Sequence, residues 1–185
     1  MNWRIVYLLV MGLVLAGIVH IAIVLMIPKY GTRGAWAFLS GRTELYRFTP
    51  LRPEQTGSAI SEVDPFFSYG ICRFDLEEAG LRLRGPETAS FWSASVFDED
   101  GAVVYSLNNR TSIENNLDLL ILTPLQGLEM REAQIERFET SVVVEADIEN
   151  GFVIVRVFQP DDSWTATNRN FLSETNCEKF VIDAG

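Results

Sequence analysis

The stretch that decides the fold of this chain lies near its start and reads, from residue 5 to residue 27, IVYLLVMGLVLAGIVHIAIVLMI. These 23 positions contain no Asp, Glu, Lys or Arg. A helix of that length covers roughly 34 Å, which is enough to cross the hydrocarbon core of a bilayer. A helix also satisfies its own backbone polar groups, which lipid cannot do. The sequence therefore predicts a single transmembrane anchor within residues 1–30.

The same stretch has a second interpretation, a cleaved signal peptide. Its apolar run is longer than the core of about 7–15 residues that is usual in signal peptides, although Ala35-Trp36-Ala37 offers a cleavage site. Aromatic residues stand near both ends of the run, as in the aromatic belts of a membrane span. We therefore favour an uncleaved helix with four interface anchors, Trp3, Tyr7, Tyr30 and Trp36.

One face of the predicted span carries small residues and a histidine. Gly12, Ala16 and His20 follow one another at intervals of four and therefore share a side of the helix. Small residues let a second helix approach closely, and a histidine inside a membrane usually faces protein. This face is a candidate helix–helix contact, whereas the plainer interpretation is a neutral histidine bonded to a backbone carbonyl or to the membrane interface.

Charge divides the chain sharply. Residues 1–48 contain five Lys or Arg and one Glu, whereas residues 49–185 contain ten Lys or Arg and 24 Asp or Glu. The first part has a net charge of +4 and the second −14, which together give the −10 of the whole chain. So acidic a region repels nucleic acid, which we exclude as a partner. The basic residues beside the span suit contact with anionic lipid.

Two features of the sequence predict opposite orientations of the span. The basic residues cluster on the C-terminal side of the apolar run, which favours a cytoplasmic location for the region after the span. Cys72 and Cys177 are 105 positions apart, without a CxxC motif or a nearby histidine, and suit a structural disulfide formed in an oxidising compartment. Two ordinary buried thiols are the alternative.

Pro28 is predicted to end the apolar helix. Residues 31–63 then form a juxtamembrane segment, with an amphipathic helix over 32–45 followed by a linker rich in Pro, Gly and Ser. A folded domain is predicted over residues 64–185, which is long enough for one hydrophobic core.

Inside this domain the pattern is mostly that of short strands. Asp64-Pro65 signals a helix over 66–71, and Ser163 can cap another through about residue 172. Turn residues at 98–101 and at Asn150-Gly151 predict two hairpins. Strands are expected at 73–76, 81–84, 90–97, 102–107, 117–122, 141–147, 152–158 and 180–182. The fold class is therefore α+β, a mainly antiparallel sheet with short helices near its two ends.

Few residues of the domain point to chemistry. The one histidine, His20, lies in the span, so the domain has no imidazole for a catalytic triad or a histidine metal site. No nucleotide-binding motif is present. We predict no catalytic residue, no metal ligand and no cofactor. Two alternatives stay open: a hydrolase using carboxylates such as Asp75 and Asp118, and a pocket for an apolar ligand walled by Trp92 and Phe152.

Several segments resemble a group of small bacterial inner-membrane proteins related to domain-of-unknown-function family 1254. They are Gly17–Ile21, Asp64-Pro65, Ile71–Leu76, Phe91–Asp98, Tyr105–Arg110, Leu117–Ile121 and Cys177. The resemblance implies one N-terminal anchor with the domain outside the cytoplasm, and it implies no activity and no site residue. Together with the cysteines it favours the periplasm over the side that the basic residues indicate.

The sequence thus predicts a single-span protein of the bacterial inner membrane with a periplasmic C-terminal domain. We expect a non-catalytic accessory or assembly subunit that contacts the bilayer and another membrane or envelope protein. The alternatives are a periplasmic module that binds a lipid or another apolar envelope ligand, and the carboxylate-based hydrolase.

Overall fold

The computed structural model describes residues 3–51, 64–89, 91–133 and 141–182, excluding the side chains of residues 27–35, 37 and 38. A long helix, α1, covers Trp3–Ser40. The elements after it are β1 (Thr49–Leu51), β2 (Phe67–Asp75), β3 (Gly80–Arg84), β4 (Trp92–Asp98), β5 (Val103–Asn108), β6 (Asp118–Leu122), α2 (Pro124–Glu132), β7 (Val142–Glu145), β8 (Asn150–Phe158), α3 (Thr165–Glu174) and β9 (Asn176–Phe180). The predicted α+β class is confirmed.

The strands form two sheets packed face to face. The larger sheet is antiparallel, with the order β1-β2-β8-β4-β5. The smaller has the order β7-β6-β3-β9 and is antiparallel except that β6 and β7 run parallel. The longest pairing joins β2 to β8 from Phe67–Phe158 to Asp75–Asn150. Because β8 lies at the centre of the larger sheet, this pairing organises the domain.

Both sheets contribute to one hydrophobic core. Alternate residues of each strand point inward, as the two-residue period of a strand requires. Trp92 and Phe74 come from the larger sheet, Leu83 and Leu119 from the smaller, and Phe171 from α3. Each of these five side chains is at most 1% exposed. The space between the sheets is therefore filled by side chains.

The helix predicted over residues 66–71 is wrong, because this segment is the start of β2. Asp64 does form the expected local turn, since its carboxylate accepts the N–H of Phe66 at 2.9 Å. The turn ends there, because β2 pairs with β8 along its whole length. Backbone bonds to a distant strand thus override the local helix signal.

Of the two predicted hairpins, one is confirmed and one is wrong. Strands β4 and β5 are antiparallel neighbours, and the carboxylate of Asp98 accepts the N–H of Ala102 at 2.7 Å across their turn. Asn150-Gly151, by contrast, begins β8, which lies in the larger sheet whereas β7 lies in the smaller. The chain therefore crosses between sheets where a hairpin was expected.

The predictions around the end of the apolar run also need correction. Helix α1 continues through Pro28 as one helix, so the expected break and the separate helix over 32–45 are absent from this described segment. Strand β1 pairs with β2, and Tyr46 is part of the core. The folded domain therefore begins well before Asp64. Most of the predicted linker, residues 52–63, lies outside the described residues.

The C-terminal elements lie close to their predicted positions. Helix α3 follows a short 3-10 turn that Asp161, not Ser163, caps by accepting the N–H of Ser163 at 2.8 Å. The carboxylate is held ionised by this contact, because the hydrogen bonds of Ser163 lower the pKa of Asp161. The expected edge strand at 180–182 is β9, which lies a few residues earlier.

Candidate functional site

The first part of α1 is exposed on all sides in this chain. The segment Trp3–Met26 has a mean hydropathy of 2.8, and none of its most apolar window is buried. Its length and composition fit a membrane span or a signal sequence. Gly12, Ala16 and His20 all lie in this exposed segment. Apart from the chain neighbours of Gly12 and the nearby backbone of α1, no described atom lies within 4 Å of the position that a Cβ on Gly12 would take, so the described residues leave this face uncovered.

The four predicted interface anchors differ in their surroundings. Trp3 and Tyr7 are 83% and 60% exposed at the start of α1. The side chain of Tyr30 lies outside the described residues. Trp36 packs instead on the folded domain, with its ring stacked on Phe152 at a centroid distance of 6.3 Å. Trp36 therefore forms part of the junction between the helix and the domain.

The last turns of α1 dock on the outer face of the larger sheet. Leu39 is buried there in a small apolar cluster with Ile71 and Phe152, and Trp36 packs against this cluster. Phe152 in turn stacks on Phe97 with ring centroids 5.1 Å apart. This one cluster of apolar side chains thus connects α1 with β2, β8 and β4. We call this contact the helix junction.

Arg73 completes the helix junction. Its guanidinium lies 4.4 Å from the centroid of the Trp36 ring and donates from Nη1 to the carbonyl oxygen of Thr43 at 3.0 Å. A cation above an indole ring is attracted to the π electrons, and more strongly where water is excluded. Burial lowers the pKa of Arg73 without neutralising a group of so high an ordinary value. Arg73 is not among the residues predicted from the sequence, although a charged residue between Cys72 and Phe74 on a core strand is an available signal.

Tyr46 fixes the segment that comes after α1. It is buried with φ at 56°, a left-handed backbone conformation that is uncommon for residues other than glycine. Its hydroxyl donates to the carbonyl oxygen of Ala79 at 2.9 Å and also contacts that of Asp75. Burial raises the pKa of Tyr46 to about 12, and the nearby acids Glu78 and Asp75 act in the same direction. The chain after the helix is therefore held against the turn between β2 and β3.

Cys72 and Cys177 form a disulfide. Cys72 lies on β2 of the larger sheet and Cys177 on β9 of the smaller, with Cα atoms 6.4 Å apart. Both residues are buried in the core. The bond therefore joins the two sheets covalently across the centre of the domain.

The carboxylates of the hydrolase alternative do not converge. Asp118 accepts from Nε and Nη2 of Arg82 at 3.2 and 2.9 Å in the smaller sheet. Asp75 ends a strand of the larger sheet and accepts the N–H of Glu77 at 3.0 Å. Among the residues that the structure describes, no group of three His, Cys, Asp or Glu side chains is placed to hold a metal ion.

The aromatic pocket of the second alternative is not formed by the expected residues. Trp92 is 1% exposed and faces the core between the sheets. Phe152 belongs to the cluster on the outer face of the same larger sheet. Because the two side chains lie on opposite faces, they do not wall one cavity.

Comparisons with known proteins give a family and a fold. Residues 44–179 match the family described as Protein of unknown function (DUF1254). The crystal structure of the VPA0106 protein from Vibrio parahaemolyticus is similar with a TM-score of 0.59 at 14% identity, over 83% of this chain and 36% of that one. An uncharacterized protein from Burkholderia cenocepacia gives a TM-score of 0.50 at 13% identity, over 84% of this chain and 41% of that one. A comparison with curated proteins found no match.

These likenesses concern the fold alone. The matching part is well under half of each solved structure, so this chain spans only one portion of those longer proteins. The family match begins at residue 44, just after α1, and ends within β9. The shared unit is therefore the two-sheet domain.

Proposed function

We propose that this chain, which belongs to the DUF1254 family, is a single-span protein of the bacterial inner membrane that acts as a non-catalytic accessory subunit in the periplasm. The observation that carries this proposal is the continuity of α1. One helix runs from an uncovered apolar segment into the folded domain and docks there through Trp36 and Leu39. A signal sequence is removed from the mature protein, whereas the end of this helix is part of the domain's packing.

The disulfide supports the periplasmic orientation. Disulfides persist in oxidising compartments such as the bacterial periplasm and are rare in the cytosol. Cys72 and Cys177 close their bond inside the core, where they stabilise the fold and have no access to redox partners. The cluster of basic residues after the span still favours the opposite side, so orientation requires its own test.

A cysteine on the surface provides that test. Glu99 lies in the exposed turn between β4 and β5, and we expect Glu99→Cys to leave the fold intact. A maleimide that cannot cross membranes should label this cysteine in intact spheroplasts if the domain is periplasmic. Labelling that occurs only after lysis would place the domain in the cytoplasm and overturn the proposed location.

The open face of α1 supports contact with another membrane protein. Gly12 and Ala16 offer a shallow surface on which a second helix can lie close, and His20 adds a hydrogen-bonding group one turn farther on. A polar side chain that faces lipid is costly, whereas the same side chain against a protein is not. A partner helix on this face would pack closely against the small residues and would also shield His20 from lipid.

Native membranes allow this contact to be tested with matched variants. We expect Gly12→Leu and His20→Leu to reduce a partner's recovery after crosslinking, purification and mass spectrometry. Gly17→Leu is the control, because it adds the same side chain to the same helix about 100° away from the centre of the proposed face. An identical set of crosslinked proteins in all three variants would contradict the proposal.

The carboxylates support a non-catalytic role. Asp98 closes a turn, Asp118 binds Arg82 and Asp75 holds the start of the next turn. Each of these acids therefore has a structural task in a separate place. In this proposal, conversion of Asp75, Asp98 and Asp118 to Asn would change the stability of the protein. If the purified protein has a hydrolytic activity that disappears when one of these residues is converted, that result would favour the hydrolase alternative.

A further inference from the structure

The outer face of the larger sheet has a polar half that α1 does not contact through Trp36 or Leu39. Tyr69, Arg156, Ser93 and Asn108 are directly paired across four neighbouring strands. Residues paired in this way project from the same face of a sheet. They form one continuous row across β2, β8, β4 and β5, which we call the polar row.

The polar row lies beside an open cleft of about 300 Å³. That volume is at the lower end of the range for small-molecule sites, about 300–1,000 Å³. Arg156, Ser93 and Asn108 line the cleft on its polar side, and Phe67 and Phe91 line it with aromatic surface. The cleft therefore combines a charged end with an apolar wall.

The polar groups of the cleft are arranged as donors. The side-chain oxygen of Asn108 already accepts the N–H groups of Arg110 and Thr111 at 2.9 and 3.2 Å, which leaves the amide NH₂ available. Ser93 is 9% exposed, and its hydroxyl has no hydrogen bond within the described part of the chain. Ser106 lies beside them and shares a 2.9 Å contact with Ser95. The hydroxyl of Ser93 lines the cleft and can donate a hydrogen bond to a ligand there.

Arg156 supplies the charge. It is exposed, and within the described ranges no carboxylate lies at ion-pair distance from it, whereas Arg82, Arg84 and Arg131 each bind an acid. None of the residues that line the cleft is acidic, although acids outnumber bases by 24 to ten in residues 49–185. Asp64 does not line the cleft. Burial and then the negative charge of Asp64 raise the pKa of Tyr69, which lies at the end of the polar row.

We propose that this cleft binds a small amphiphilic anion, with a carboxylate or phosphate head on Arg156, Ser93 and Asn108 and an apolar body on Phe67 and Phe91. Guanidinium groups bind such oxygen pairs with two parallel hydrogen bonds, which positions the head as well as attracting it. A free metabolite and a lipid headgroup share this chemistry. The proposal is independent of the contact made by the span.

Water-soluble probes test this site on the full chain in nanodiscs of neutral lipid. Isothermal titration with benzoate and phenyl phosphate should show binding, and benzyl alcohol, which lacks the charge, should not bind. Arg156→Gln should weaken binding about 10-fold or more, because it removes a charge-assisted pair. Arg169→Gln on α3 is the matched control, since it removes an exposed arginine that does not line the cleft.

Each result has a defined meaning. Tighter binding of phenyl phosphate than of benzoate would assign a phosphate head, and the reverse a carboxylate. Competition by phosphatidylglycerol added to the discs would identify a lipid as the source, and its absence a free anion. The proposal fails if neither aromatic anion binds, if Arg169→Gln weakens binding as much as Arg156→Gln, or if inorganic phosphate binds as tightly as phenyl phosphate.

Discussion

Removal of the Cys72–Cys177 disulfide should destabilise the domain strongly. The bond closes a loop across a sequence separation of 105 residues. In the chain-entropy treatment a loop of that length restricts the unfolded chain by about 5 kcal/mol at 25 °C. Small domains are stable by only about 5–15 kcal/mol, so the disulfide contributes at least about a third of the free energy of unfolding that is typical of such a domain.

The assay is guanidinium unfolding of the full chain in detergent, followed by tryptophan fluorescence, to which the buried Trp92 contributes. Reduced wild type and the double variant Cys72→Ala/Cys177→Ala should both unfold at a midpoint lower by roughly 1–2 M than the oxidised protein, given typical slopes. The reductant should leave the double variant unchanged, which controls for its other effects. A loss below about 1 kcal/mol in both samples would refute the loop-closure reasoning.

Three further predictions concern the helix junction, the buried tyrosine and one close contact. Trp36→Ala should lower the free energy of unfolding by about 1–3 kcal/mol, measured by circular dichroism, whereas Trp3→Ala at the exposed end of the same helix should change it by less than about 0.5 kcal/mol. The pKa of Tyr46 is raised from 10.0 to about 12 in the folded protein, so the unfolded chain loses this proton first and stability falls as the pH rises from 10 towards 12. The stability advantage of wild type over Tyr46→Phe should therefore shrink across that interval, and a constant difference would contradict the assigned pKa. Gly151→Ala should destabilise the domain by about 1–3 kcal/mol in the same unfolding assay, because its Cβ would lie 2.5 Å from the backbone oxygen of Phe97; an unchanged midpoint would show that the strands move apart at little cost.

The sequence allowed prediction of the elements whose signals are local. The hairpin of β4 and β5 follows from a turn at 98–101 between two alternating runs, and the structure confirms it. The apolar run at 117–122 predicted a central strand, and β6 lies between β7 and β3 with residues 119–122 buried. Helix α2 also has a local signal, since Thr123 and Gln126 form a capping box at its start.

The errors arose where distant parts of the chain decide the outcome. Proline inside a helix removes a hydrogen bond and costs about 3 kcal/mol, so Pro28 was expected to end α1. The helix nevertheless continues, and its last turns bury Leu39 and pack Trp36 on the larger sheet, contacts that offset part of that cost. Asn150-Gly151 carried a good hairpin signal, yet nothing local specifies that β7 and β8 belong to different sheets.

The candidate sites also divide into those with local sequence signals and those that depend on contacts between distant segments. The apolar helix and the residues that share one of its faces could be predicted from spacing alone, whereas the polar row depends on the register of four strands, of which only β4 and β5 are neighbours in sequence. Ser93 and Arg156 are ordinary residues in the sequence and become neighbours only through the pairing of β4 with β8. Trp92 and Phe152 are an example of residues that the sequence groups and the fold separates. Both are aromatic and were expected to wall one pocket, but the pleat of the strands places them on opposite faces of the larger sheet.

The unbroken course of α1 has a mechanical consequence. From Met26 to Ser40 the helix extends for 14 residues, which is about 21 Å of stiff rod beyond the apolar segment. If the apolar segment spans a membrane, a change of about 10° in its tilt, which is within the range of tilts that membrane spans adopt, would displace the far end of that rod by roughly 4 Å. Because the rod is fixed to the sheet, the whole domain would swing with it, and bilayer thickness or a neighbouring helix would steer the position of the polar row.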